Sequence, residues 1–102
     1  MTWNIAGNDN LGYVVSADYT ATVSDTSDIS AVFTATMPTN LIRVIMIPQG
    51  DMYYKIGGVA SDTTAKLTST LALNMPTTKT LADTIQVYAA GVVCDLLVCT
   101  PR

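Results

Sequence analysis

Histidine and glutamate are both missing from this chain of 102 residues. The first absence removes the side chain that most often acts as general base and metal ligand near neutral pH; the second leaves aspartate as the only acidic side chain. Charge of either sign is scarce, with 13% of residues charged and a formal net charge of −3. The cations Arg43, Lys55, Lys66, Lys79 and Arg102 are scattered. Neutralising phosphates takes clustered Lys and Arg, so nucleic acid is not expected as a partner. Long apolar runs are missing too. The longest, around Leu41–Pro48, is broken by Arg43 and is far too short to cross a bilayer, which argues against a membrane partner. Residues 1–10 have neither the basic start nor the long apolar core of a signal peptide, so folding in a cytoplasm is expected whatever the final location.

Only two cysteines are present, Cys94 and Cys99, five apart in a segment that reads as one strand. An odd separation places them on opposite faces of a sheet, where they cannot bridge each other, and two thiols without histidine make a poor metal site. Both are read as buried free thiols. No G-x-S-x-G, P-loop or dinucleotide fingerprint occurs, and Gly57-Gly58 reads as a strand stop. Of the eight aspartates, Asp9, Asp25, Asp28, Asp51 and Asp62 fall in expected turns, where the short carboxylate bonds the nearby backbone. Asp83 and Asp95 are expected to face one another across a final hairpin, where like charges repel. Calcium is the one metal worth weighing, through Asn8-Asp9-Asn10 and Asp25–Asp28. The spacing matches no calcium loop and no bidentate Glu closes the site. No catalytic residue, cofactor or metal is assigned, and the chain is read as a non-enzyme.

What is abundant is apolar and β-branched. Hydrophobic residues make up 49% of the chain, more than a thin sandwich layer readily conceals, so further burial against neighbours is expected. Segments of five to nine residues alternate with clusters of Gly, Asn, Asp, Ser and Pro, the spacing of an all-β fold. Residues 1–11 hold two isolated apolar anchors, Trp3 and Ile5, and read as an N-terminal arm; residues 12–102 read as one domain. Strands are expected over Tyr13–Val23, Ile29–Met37, Leu41–Ile47, Met52–Ile56, Leu67–Met75, Leu81–Ala89 and Val92–Thr100. Leu41–Ile47 should be buried on both faces, Met52–Ile56 should return as its hairpin partner, and Ala90-Gly91 should join the last two as a hairpin. The fold class is a small antiparallel β-sandwich, jelly-roll or immunoglobulin-like, of seven or eight strands. Tyrosines 13, 19, 53, 54 and 88 with Trp3 offer a sugar-stacking platform, although Tyr53 and Tyr54 must point to opposite faces.

The passage Asn40-Leu41-Ile42-Arg43-Val44-Ile45-Met46-Ile47, followed by Asp51-Met52-Tyr53-Tyr54-Lys55-Ile56-Gly57-Gly58, resembles small β-sandwich virion proteins of tailed bacteriophages. There a strand–turn–strand–Gly unit precedes a loop of small polar residues, an apolar strand, a Thr/Pro loop and two last strands. Matching stretches here are Val59–Lys66, Leu67–Met75, Pro76–Lys79 and Leu81–Thr100. The likeness spans about two thirds of the chain as a pattern of strand order and loop character. It implies a structural part of a virion, capsid decoration (cement) protein first, tail or fibre module binding a host-surface glycan second. Major capsid protein subunits and further copies of the chain, as dimer or trimer, are the implied partners, with the capsid surface as location. Trp3, Ile5 and Tyr13 are the candidate partner-binding residues.

Overall fold

The structure is a computed structural model and describes residues 12–102. The Trp3 and Ile5 anchors and the arm therefore lie outside the described residues. Among the described residues eight strands form two four-stranded antiparallel sheets: β1 (Tyr13–Val23), β2 (Ser27–Asp28), β3 (Arg43–Pro48), β4 (Met52–Ile56), β5 (Ala65–Leu67), β6 (Leu73–Pro76), β7 (Ile85–Tyr88) and β8 (Val92–Pro101). One sheet has the order β1-β8-β3-β6 and the other β2-β7-β4-β5. First pairs with last, second with second-last, and so inward: β1 with β8, β2 with β7, β3 with β6, β4 with β5. The chain is thus one long antiparallel ribbon folded at the β4–β5 turn and rolled up, which is the jelly-roll solution to closing a sandwich. That ordering decides between the two expected architectures.

Between the sheets lies an apolar core. The first sheet contributes Val44, Met46, Leu96 and Val98; the second contributes Met52, Ile85 and Val87, all at most 1% exposed. β-branched and long aliphatic side chains at every second position make one face of each strand continuous and dry.

Several expected elements are placed differently. Met52–Ile56 is not the hairpin partner of β3, since β4 pairs with β5 and β7 in the opposite sheet. Pro48, Gln49 and Gly50 turn the chain from one sheet to the other, and Gln49 N–H donates to the Val93 carbonyl at 2.8 Å. A jelly roll uses a corner here, and apolar alternation reads the same on either side of a corner as on either side of a hairpin. The expected final hairpin is a corner too, with β7 and β8 in different sheets. β3 is buried on one face only: Val44, Met46 and Pro48 are buried, while Arg43, Ile45 and Ile47 are half-buried on the outer face. The expected strand Leu67–Met75 is divided between β5 and β6 by a turn in which Thr68 and Leu71 bridge. The start of the expected strand Leu81–Ala89 is instead a helical turn, α2 (Lys79–Ala82), whose first turn is capped by Thr78 Oγ1 accepting from Leu81 N–H.

No strand runs through Ile29–Met37. Ile29–Val32 forms one helical turn, α1. It closes with Ala35 N–H donating to the Ser30 carbonyl at 3.0 Å and Thr34 N–H to the Ala31 carbonyl at 3.2 Å. These two bonds, with Thr34 at φ 51°, make a Schellman ending in which Thr occupies the left-handed position that Gly normally fills. The alternation that reads as a strand is real as burial, because Phe33, Ala35 and Met37 are all buried. It belongs to an extended connection that joins no sheet.

Candidate interaction surfaces

β1 contains a register shift between Val15 and Ala17. Before it, Val15 pairs with Cys99; after it, Ala17 pairs with Val98. Adjacent residues of β8 face opposite ways, so the bulge at Ser16 moves Tyr13 and Val15 to the outer face while Ala17, Tyr19 and Ala21 pack against the core. Ser16 Oγ donates to the Val98 carbonyl at 3.2 Å within the bulge. Tyr13, the one candidate partner residue among those described, thereby meets Arg43, whose guanidinium carbon stands 5.0 Å from its ring centroid. Arg43 Nη1 also donates to Asn74 Oδ1 at 2.6 Å. A chain of contacts so crosses the whole sheet from β1 to β6.

The cysteines lie on opposite faces of β8. Cys94 is part of the core, and Cys99 is on the outer face, opposite Arg43 and Val15. Both are free and fully buried. Burial pushes the Cys94 thiol up to about 12, with the neighbouring Asp95 charge adding to it. Burial raises Cys99 as well, against an opposing pull from Arg43. Thiols held in this state are poor nucleophiles at neutral pH.

Four of the aspartates are engaged in structural contacts. Asp25 accepts from Thr26 N–H at 2.9 Å, Asp51 pairs with Lys66 at 3.2 Å, and Asp83 with Lys79 at 2.7 Å. The hydrogen bond from Lys66 to Asp51 raises the lysine pKa. Asp95 accepts from Thr20 Oγ1 at 2.6 Å on the outer face of β8. Asp83 follows α2, so the two carboxylates expected to face each other do not. Among the described residues no three of His, Cys, Asp or Glu gather as a metal site would require, and no helix is long and apolar enough to cross a membrane.

Of the five exposed large hydrophobics among the described residues, four fall in segments linked at one end of the roll; the fifth, Leu71 at 58% exposure, lies apart in the β5–β6 turn. Val14, opposite Thr100, is 37% exposed, and Ile42, whose N–H donates to the Cys99 carbonyl, is 36% exposed, so the two flank β8. Thr77 N–H donates to the Ile42 carbonyl and leads into α2, where Leu81 is 43% exposed. Gly57 N–H donates to the Thr84 carbonyl, bringing in the β4–β5 connection with Val59 at 70% exposure. Residues 1–11 join the domain at this same end, where the Gly12 carbonyl accepts from Arg102 N–H. Sequence reasoning names Tyr13 but not this rim, because Ile42 and Leu81 read as parts of strands that in the structure start later.

The outer face of the second sheet has a different character. Tyr53 and Tyr88, directly paired across β4 and β7, have ring centroids 6.2 Å apart at 36°. Lys55 and Gln86 form the next pair, and Gln86 Oε1 is a buried acceptor with no hydrogen-bond partner. Tyr54 packs against the core, on the face opposite Tyr53. Of the five tyrosines, only Tyr53 and Tyr88 come together.

No protein-family model, no curated protein and no solved structure matches this chain.

Proposed function

We propose that this chain is a non-enzymatic structural protein of a bacteriophage virion, a capsid decoration protein that binds the assembled major capsid shell and stabilises it. The observation that carries the reading is the rim formed by Val14, Ile42, Val59 and Leu81, at the end of the roll where residues 1–11 join it. Apolar side chains gathered at one end of a small domain are costly in water and serve to meet another surface. Tyr13, held by Arg43, borders it, and Trp3 and Ile5, outside the described residues, are the further residues proposed for the contact. The jelly roll is also a topology of viral capsid domains, an analogy of fold rather than of function. The mechanism is mass action: a protein that binds the assembled shell and not its free subunits shifts the equilibrium toward the shell. Self-association as a homo-oligomer multiplies such contacts.

The test is co-sedimentation of the purified chain with empty expanded capsids of the phage that encodes it. Binding to shells but not to unassembled capsid subunits, with a raised shell melting temperature, is expected. A paired Ile42→Asp and Leu81→Asp change should abolish binding while the domain stays folded. Absence of binding to any form of the shell overturns the reading.

A second reading, a tail or fibre module that binds a host-surface glycan, is favoured by the Tyr53–Tyr88 pair beside Lys55 and Gln86. Tyrosine faces stack on the C–H faces of sugars, and flanking amide and ammonium groups meet hydroxyls. A glycan array with wild type and Tyr88→Ala tests it; loss of a reproducible glycan signal in the variant would support this reading over the first.

A further inference from the structure

Each sheet ends in two edge strands, and three of the four are guarded in familiar ways. β2 has only two residues, β5 has three and carries Lys66, and β6 has four and ends in Pro76. Short length, lysine and proline all discourage another strand from pairing. β1 is the exception. It spans eleven residues, contains no Lys, Arg or Pro, and pairs on one side only among the described residues. Its core-side residues Ala17, Tyr19 and Ala21 stay half-buried, unlike those of the strands within the sheet.

We infer that β1 pairs antiparallel with β1 of a second copy, about a twofold axis at Thr20, joining the two β1-β8-β3-β6 sheets into one continuous sheet. The register follows from three constraints. Directly opposed residues of an antiparallel pair share a face, so residues of like parity must meet. The bulge at Ser16 breaks the regular edge, which leaves residues 17–23 to pair. An axis at Asp18 would set two carboxylates against each other, and an axis at Tyr19 would run the pairing across the bulge and set Asp18 against Thr20, whose hydroxyl already serves Asp95. An axis at Thr20 opposes Thr20 with Thr20, Asp18 with Thr22, Tyr19 with Ala21 and Ala17 with Val23. It covers the half-buried core-side residues, separates the acidic groups and leaves the bulge outside, whereas an axis at Ala21 would shorten the ladder to residues 19–23 and leave Ala17 uncovered. A contact this narrow falls short of the roughly 1,200 Å² of a standard interface, so the dimer should dissociate in the micromolar range. The inference gives a surface to the self-association of the proposed function, and the capsid rim plays no part in it.

The experiment uses the full chain, by analytical ultracentrifugation across concentration and by hydrogen exchange of the β1 amides. A reversible dimer is expected, with protection over residues 17–23 rising with concentration. Thr20→Lys, an exposed position, sets two ammonium groups face to face and should weaken the dimer about two- to fivefold. Mixing Thr20→Lys with Thr20→Glu should restore it as a heterodimer. Thr22→Lys, which meets Asp18 of the other copy, should leave it as tight or tighter. A monomer with open β1 amides at every concentration overturns the inference. So does a monomer whose β1 protection vanishes when residues 1–11 are deleted, which would mean the chain's own leading segment covers the edge. An oligomer indifferent to Thr20→Lys overturns it as well. Shell binding is scored separately, so a monomer that still binds capsids removes this dimer and leaves the proposed function standing.

Discussion

The guanidinium of Arg43 rests 5.0 Å from the ring of Tyr13 although the two residues sit on strands that are not neighbours. β8 runs between their strands, and Cys99 stands opposite Arg43 in the ladder. The contact bridges over a central strand and helps to account for a cysteine that is fully buried on the face away from the core.

Removing the bridge should therefore uncover the thiol. Arg43→Ala is expected to lower stability by about 0.5–2 kcal/mol, from the lost ring contact and the lost bond to Asn74. It should also speed labelling of Cys99 by a thiol reagent under native conditions, while Cys94 in the core stays slow. Mass spectrometry of the labelled peptides separates the two sites; equal labelling in wild type and variant would show that Arg43 does not shield Cys99.

Thr34 offers a stabilising change. A β-branched residue in the left-handed region is strained, and the Schellman bonds hold it there. Thr34→Gly should raise stability by about 1 kcal/mol, part of the relief being returned as chain entropy. Thr34→Ala should gain less, because its Cβ meets the same backbone. Urea melts of the three proteins give the order.

Alkaline pH should destabilise the fold through its thiols. An ordinary thiol ionises near 9.0, and Cys94 in the folded protein near 12. Below pH 9 both states keep the proton and the thiol adds no slope. Above it the unfolded chain releases the proton first, so stability falls as pH rises toward 12, by at most about 1.4 kcal/mol per pH unit for each thiol. Cys99 shifts in the same direction and adds to the fall. The exposed Lys66–Asp51 pair, with its raised lysine, loses its small contribution as the lysine deprotonates. Urea melts between pH 7 and 10 should show a shallower decline for Cys94→Ala than for wild type.

Reductant should leave the melting temperature unchanged, since both cysteines are free and face opposite sides of β8. A large drop by calorimetry would point to a bridge between chains.

Much of the architecture is legible in the sequence. The alternation in Tyr13–Val23, the apolar run ending at Pro48, the Gly57-Gly58 stop and the odd Cys94–Cys99 spacing all locate structure correctly, because side-chain direction along a strand has a period of two residues. The same regularity hid the bulge: an uninterrupted strand expected over Tyr13–Val23 gives no sign that Tyr13 and Val15 turn outward, which only the pairing with β8 shows. It also hid α1, since Phe33, Ala35 and Met37 are buried at every second position without joining a sheet.

By itself, then, the sequence determined that the domain is built of strands, where most of them run and which side chains seek the dry side. Those are local properties, set by propensity and period. Which strands pair was decided by the tertiary structure alone. Backbone hydrogen bonds carry no residue identity, and a corner at Pro48–Gly50 or at Ala90-Gly91 looks like a hairpin turn until both sheets are in place. The rolling of the ribbon joined β1 to β8 across most of the chain's length, brought Arg43 to Tyr13, gathered Val14, Ile42 and Leu81 at one end, and left β1 as the longest edge strand among the described residues.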